Sequence, residues 1–167
     1  MDLIDVEPRQ SDVRFDVSKE MTAYCVLGFP ASKNKPLAPG RLSRGVLFGH
    51  WSDVCDISDY VTAKADVRTH LVVPMARNGM NDDERFVVAP KPHGMSGGPV
   101  WRVRFRLPDL AITIRLVGMA VEYRKDIESA VALRIWVIMN LIRSAFPDLA
   151  DKVPRATTFA ETGNGSV

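Results

Sequence analysis

The stretch Trp101-Arg102-Val103-Arg104-Phe105-Arg106-Leu107 alternates apolar and basic residues without interruption. Because successive side chains of a β-strand point to opposite faces of a sheet, this period of two predicts a strand. One face would carry the apolar residues into a core, and the other would hold the arginines in water. A basic stripe for an acidic partner is the alternative, but the net charge of the whole chain is only +2.

Similar short stretches of strand-forming residues lie on both sides of this one, separated by turns rich in glycine, proline and asparagine. The predicted strands are residues 22–30, 42–50, 66–74, 85–89, 110–123 with a break at Gly118, and 130–134. Apolar residues then recur every three or four positions, which predicts an amphipathic helix from Ile135 to Phe146, ended by Pro147. Patterning alone therefore predicts an all-β barrel or sandwich with one C-terminal helix.

The composition is typical of a single soluble globular domain, with 46% hydrophobic and 25% charged residues in a chain of 167. Cys25 and Cys55 show neither CxxC nor zinc-site spacing, so we expect reduced thiols, no metal and no cofactor. The low net charge disfavours nucleic acid as a partner, and the apolar runs are too short for a membrane span. Since the acidic start lacks signal-peptide features, the predicted location is cytoplasmic.

A glycine-rich segment, His93-Gly94-Met95-Ser96-Gly97-Gly98-Pro99-Val100, immediately precedes the alternating strand. Glycine tolerates positive φ and lets another group approach the backbone closely. Backbone N–H groups of Gly94 and Ser96 that point into one hollow could hold a developing oxyanion, with Ser96 as the attacking hydroxyl. A plain glycine-rich turn and an anion-binding nest of N–H groups are the alternatives.

The hexapeptide Gly94-Met95-Ser96-Gly97-Gly98-Pro99 resembles the Gly-x-Ser-Gly-Gly-Pro signature of the trypsin-like serine proteases. Residues 24–30, 116–121 and 130–142 resemble the opening strand, the peptide-flanking strand and the closing strand and helix of that family's second barrel. The resemblance implies an antiparallel six-stranded β-barrel with a C-terminal α-helix over residues 21–147. Residues 1–20 would lead into this barrel, and residues 148–167 would form a flexible tail.

The same resemblance implies roles for individual residues. Ser96 would be the nucleophile, and the N–H groups of Gly94 and Ser96 would form the oxyanion hole. Asp2, in the sequence Asp-Leu-Ile-Asp-Val, resembles the carboxylate of the catalytic triad. The residues expected to bind substrate are His93, Val121 and Glu122.

One element of the family's machinery has no counterpart, because none of the three histidines, His50, His70 and His93, matches the family's histidine motif. Met95 also departs from the animal digestive enzymes, which have an aspartate there. One prediction is a truncated serine endopeptidase-like domain for peptide or protein substrates, inactive alone, whose base lies on a missing N-terminal barrel. A non-catalytic protease-like peptide-binding or interaction module and an unrelated β-barrel binding protein are the alternatives.

Overall fold

A computed structural model of the chain describes residues 20–34, 45–53, 55–80, 85–106 and 111–154. Its main feature is one six-stranded antiparallel sheet, curled into a half-barrel. In chain order the elements are β1 (Glu20–Gly28), β2 (Phe48–Ser52), α1 (Ile57–Thr62), β3 (His70–Pro74), β4 (Asn78–Met80), β5 (Phe86–Val88), β6 (Pro99–Arg106), β7 (Ala111–Arg124), β8 (Ser129–Arg134) and α2 (Ile135–Ala145).

The strand order in the sheet is β2-β1-β6-β7-β8-β3, and β4 and β5 form a separate hairpin. Strands β6, β7 and β8 follow one another as a meander, while β3 joins the sheet beside β8, which is a Greek-key arrangement. The helix α2 follows β8 directly and packs on β7 and β8. The prediction of an all-β, six-stranded antiparallel fold with a C-terminal helix is therefore confirmed.

Several predicted boundaries need correction. The strand predicted at residues 66–74 begins only at His70, because Asp66 organises a turn: its carbonyl accepts hydrogen bonds from the N–H groups of Thr69 and His70, at 3.0 and 2.8 Å. The strand predicted at 42–50 is observed as β2, which ends at Ser52. The sequence also predicts a turn at residues 76–84, from its asparagines, aspartates and glycine, but this stretch contains β4. The short helix α1 was not predicted, although the carboxylate of Asp59 accepts a hydrogen bond from the N–H of Asp56, at 3.2 Å, as in a capping box.

Strand β7 is continuous through Gly118, so the predicted break there is wrong. A Cβ at Gly118 would lie 2.6 Å from the carbonyl oxygen of Leu133 in β8. Glycine is therefore required by close packing against the neighbouring strand, and its presence does not interrupt the strand.

Apolar residues pack on both faces of the sheet. The inner core consists of Tyr24, Val26, Leu71, Val73, Met75, Met95, Val100, Val117, Ala120, Ala130 and Ala132. A smaller outer cluster of Cys55, Tyr60, Ala63, Val72 and Val131 lies where α1 covers the sheet. Both cysteines are free thiols, and burial raises the pKa of Cys25 to about 11 and that of Cys55 to about 12.

The arginines of β6 do not all lie in water as predicted. Arg102 is only 3% exposed. It stands opposite Tyr24 in the sheet, and opposite residues of neighbouring strands share a face, so Arg102 is on the side of the inner core. Burial, together with the charges of Arg104, Arg115 and Arg134, lowers the pKa of Arg102 to about 9.

Within the described ranges, no helix has the length and apolar character that crossing a membrane would require.

Candidate functional site

The segment His93–Gly98, here called the serine loop, is fixed by backbone hydrogen bonds between β1 and β7. On one side, the N–H of Ala31 donates to the carbonyl of His93, at 2.8 Å. On the other, the N–H of Gly97 donates to the carbonyl of Ala120, at 2.7 Å, and the N–H of Ala120 donates to the carbonyl of Gly98, at 2.9 Å. The loop is therefore held at both ends by regular strands and their immediate extensions.

The side chain of Met95 anchors the middle of the loop. Met95 is buried in the inner core, and a Cβ at Gly28 would lie 2.9 Å from its Cγ atom. Gly28 thus leaves the space in which the methionine packs. Met95 therefore packs as an apolar anchor, whereas the animal digestive enzymes of the trypsin-like family, which the motif resembles, have an aspartate at the corresponding place in the motif.

Three of the five N–H groups from Gly94 to Gly98 donate hydrogen bonds within the fold. The N–H of Met95 donates to the carbonyl of Pro92, and the N–H of Gly98 donates to that of Met95, both at 3.0 Å, while the N–H of Gly97 reaches Ala120. Among the residues that the structure describes, no acceptor is recorded for the N–H groups of Gly94 and Ser96. These two donors are the ones that the sequence predicts for an oxyanion hole.

Two glycines of the loop have φ values that side chains disfavour, +90° at Gly94 and +84° at Gly97. Positive φ reverses the direction of successive N–H groups, and alternation of this kind forms concave, anion-attracting backbone segments. The third glycine, Gly98, is required for space, because a Cβ there would overlap the carbonyl oxygen of Leu27. A physical requirement therefore explains why glycine occupies each of these three positions.

A cleft of about 550 Å³ opens beside the loop. Five of the six residues predicted for the site line it: His93, Gly94, Ser96, Val121 and Glu122. The sixth, Asp2, lies outside the described residues. The structure thus brings together a loop and a strand segment that are separated by more than twenty residues in the sequence.

A β-bulge places the strand part of the cleft. Between Ala120 and Glu122 the register of β7 against β8 shifts, so that Val121 is an extra residue in β7. Bulges bend a strand and redirect its side chains, and they are common next to functional sites. Here the bulge lies one residue beyond the hydrogen bonds that join β7 to the serine loop.

The cleft is also lined by four charged residues that the sequence analysis did not single out: Arg77, Lys91, Lys125 and Glu128. Arg77 lies in the turn predicted at residues 76–84, and Lys125 lies two residues beyond the strand predicted at residues 110–123. Only the curl of the sheet brings the β3–β4 connection and the β7–β8 turn to the same side as Ser96. No local pattern in the sequence indicates this proximity.

The predicted substrate residue Glu122 is part of an ion-pair network on the cleft rim. Its carboxylate lies 3.7 Å from Nε of Arg124, and its side chain is 59% exposed. Arg124 also contacts Asp126 at 3.1 Å, and this pairing lowers the pKa of the Asp126 carboxyl. Desolvation, and then the charge of Glu128, raise the pKa of Tyr123, whereas Arg77 opposes the shift.

The histidines do not supply a formed catalytic pair. Burial lowers the pKa of His50, and an interaction with the backbone of Pro74 partly opposes that shift. The Nδ1 atom of His70 lies 2.9 Å from the hydroxyl of Thr69, at the end of β3 remote from the cleft. His93 is exposed on the cleft wall. In the described part of the chain, no hydrogen bond joins any of these imidazoles to Ser96.

Comparisons with protein-family models, with curated proteins and with solved structures found no match to this chain.

Proposed function

We propose that this chain is a serine-endopeptidase-like domain, equivalent to the second barrel of the trypsin-like fold, that binds peptides in the cleft beside Ser96. The observation that carries the proposal is the bonding pattern of the loop. The other three donors from Gly94 to Gly98, the N–H groups of Met95, Gly97 and Gly98, are used within the fold, while those of Gly94 and Ser96 have no acceptor among the described residues. Two unbonded backbone donors close to a serine hydroxyl are what an oxyanion hole requires.

In this proposal Ser96 attacks the carbonyl carbon of a peptide bond, and the two N–H groups stabilise the negative charge that develops on the carbonyl oxygen. The serine proton must pass to a base, which the described contacts of Ser96 do not include. We assign that role to a histidine from a partner barrel and the orienting carboxylate to Asp2. The exposed position of Ser96 at the cleft leaves it accessible to such a partner.

A non-catalytic peptide-binding module is the second candidate. It is favoured by one observation, the absence of any described hydrogen bond between the Ser96 hydroxyl and an imidazole. A serine hydroxyl without an adjacent base is a weak nucleophile at neutral pH. The loop could then serve to hold a peptide carbonyl and no more.

Peptide boronic acids distinguish the two functions. Addition of the serine oxygen to boron, with the serine proton released to water, gives a tetrahedral anion. Tight binding therefore requires both an accessible serine and an oxyanion hole. Because no base assists the addition, we expect a gain over the matching peptide amide of roughly tenfold to a hundredfold, the low end for transition-state analogues. Ser96→Ala should abolish the gain, whereas Ser144→Ala, an exposed serine on α2, should not. If the boronic acids bind no more tightly than the amides, the peptidase proposal is wrong.

A further inference from the structure

The charges that line the cleft beside Ser96 are unequal. Three cationic side chains, Arg77, Lys91 and Lys125, face two carboxylates, Glu122 and Glu128. Glu122 is paired with Arg124, which lies 3.7 Å away and also binds Asp126 at 3.1 Å. The cleft therefore presents an excess of positive charge to any ligand that enters it.

Among the three cations of the cleft, Arg77 is the one with a buried, unpartnered donor atom in the described part of the chain. Its side chain is partly buried, and its Nε atom is withdrawn from solvent with no hydrogen-bond partner among the described residues. Its backbone carbonyl accepts a hydrogen bond from the N–H of Ala89, at 2.6 Å, which fixes the position of the residue at the base of the β4–β5 hairpin. A guanidinium whose Nε atom is already withdrawn from water has less hydration to lose when it binds a ligand.

Carboxylates are the peptide groups that match this arrangement. A planar guanidinium donates two parallel hydrogen bonds to a carboxylate, and such bonds are about twice as strong as those between neutral groups. The opposite preference, for a basic side chain, would need an available carboxylate in the cleft. Glu122 is exposed and already paired, and Glu128 shares the surroundings of Tyr123 with Arg77, as the opposing effects of the two charges on that phenol indicate.

We propose that the cleft beside Ser96 binds a carboxylate group of the peptide and that Arg77 is the residue that determines this specificity. The inference rests on the proposed peptide-binding role of the cleft. The carboxylate can belong to an aspartate or glutamate side chain or to the C-terminus of the peptide. The two sources present the same chemistry to Arg77 and are separated by the experiment.

The test measures, by calorimetry, the binding of two pairs of hexapeptides to the complete 167-residue chain. One pair differs only in a central glutamate or glutamine, with both ends blocked, and the other pair differs only in a free or amidated C-terminus. We expect at least one acidic peptide to bind about tenfold or more tightly than its neutral partner, as for a hydrogen-bonded charged group. A preference confined to the first pair identifies a side-chain carboxylate, and one confined to the second identifies a C-terminal one.

Variants locate the preference. Arg77→Gln should remove the difference in affinity between acidic and neutral peptides. Arg77→Lys should retain part of it, because lysine keeps the charge but loses the two parallel donors of the guanidinium. Arg68→Gln is the matched control, since that side chain is 82% exposed and pairs with Asp66 outside the cleft. Equal binding of acidic and neutral peptides by the unaltered chain overturns the inference without reference to any variant. So does a preference that survives in a folded Arg77→Gln chain.

The outcome is separable from that of the proposed function. If Arg77 mediates carboxylate binding but peptide boronic acids gain nothing at Ser96, the specificity stands and the peptidase role is wrong. If the boronic acids bind at Ser96 but no peptide shows a preference for an acid, the peptidase role stands and the carboxylate inference is wrong.

Discussion

The serine loop and the strand that follows it are adjacent in sequence, yet they differ in how far local sequence determines their structure. In the loop, the glycines occupy the positive φ values and close approaches for which glycine is needed. In β6, the alternating pattern predicts buried apolar residues and solvated arginines, but Arg102 is buried and Phe105 is exposed. Backbone conformation is a local property, whereas burial depends on which face of the curled sheet becomes the inside.

The largest expected effect is on the loop, where glycine is required for space. Gly98→Ala should lower the free energy of unfolding by about 3 kcal/mol or more, because the new methyl group would overlap the carbonyl oxygen of Leu27 and approach that of Met95. Urea denaturation followed by circular dichroism measures the change.

Gly97→Ala is the matched control for this prediction. A Cβ there meets no atom within 4 Å, so the only cost is that of φ at +84°. We expect a loss of about 1–2 kcal/mol. Equal losses for the two variants would show that the loop can move away from β1 and that its geometry is not fixed.

The second prediction concerns the buried arginine of the strand. Above about pH 9 folded Arg102 loses a proton that the unfolded chain, with an ordinary arginine pKa of 12.5, retains. The destabilisation due to the buried charge therefore decreases as the pH rises, by at most about 1.4 kcal/mol per pH unit for one proton. The unfolding free energy of the unaltered chain should thus increase relative to that of Arg102→Met above pH 9.

The prediction is made for the difference in unfolding free energy between the unaltered chain and Arg102→Met, because other groups also titrate in this pH range. Cys25 and Cys55 have raised thiol pKa values, so in the unfolded chain they lose protons that the folded chain keeps, and stability falls with pH through the same range. Both proteins share this contribution, which cancels. Arg106→Met, on the exposed end of the same strand, should show no such divergence. Parallel pH profiles for the unaltered chain and Arg102→Met would contradict the assignment.

The opposite face of β6 gives a third, smaller prediction. Met21, Phe105 and Ile112 are opposite one another in β1, β6 and β7, and all three are exposed, Ile112 by 61%. Contiguous apolar surface of this kind binds hydrophobic dyes. Ile112→Lys should reduce the fluorescence of an added naphthalene-sulfonate dye, whereas Val61→Lys, an exposed valine on α1, should not. Equal signals from both variants would place the dye elsewhere.

These contrasts indicate what the sequence can predict. The approximate positions of the six sheet strands, the helix from Ile135 and the glycine-rich character of the serine loop follow from periodicity, proline and glycine over short distances. The side of the sheet on which Arg102 lies does not, because it depends on pairing with Tyr24, almost eighty residues earlier. The same applies to the cleft: Arg77 and Lys125 join Ser96 only through the Greek-key connection and the curl of the sheet. The proposed recognition of charge therefore depends on tertiary structure, whereas the serine loop can be recognised from local sequence.

The last prediction is that Ser96 shows no enhanced reactivity. It tests whether the serine loop alone, without a base, is sufficient to activate the serine hydroxyl. A fluorophosphonate reacts rapidly only with a serine whose proton is taken by a neighbouring base. Because no described imidazole is bonded to Ser96, this serine should be labelled no faster than Ser58 and Ser144, two exposed serines of the same chain, as measured by mass spectrometry of the digested protein.

Any peptide hydrolysis by the chain alone should be correspondingly slow, since an oxyanion hole without a base retains only about 10³–10⁴-fold catalysis over water. Addition of a barrel that carries a histidine should make the labelling of Ser96 selective. Fast, stoichiometric labelling of Ser96 in the isolated chain would contradict the prediction and would mean that one of its three histidines reaches the hydroxyl in solution. Replacing His93, His50 and His70 in turn by alanine would then identify the base, with His93 first because it already lines the same cleft.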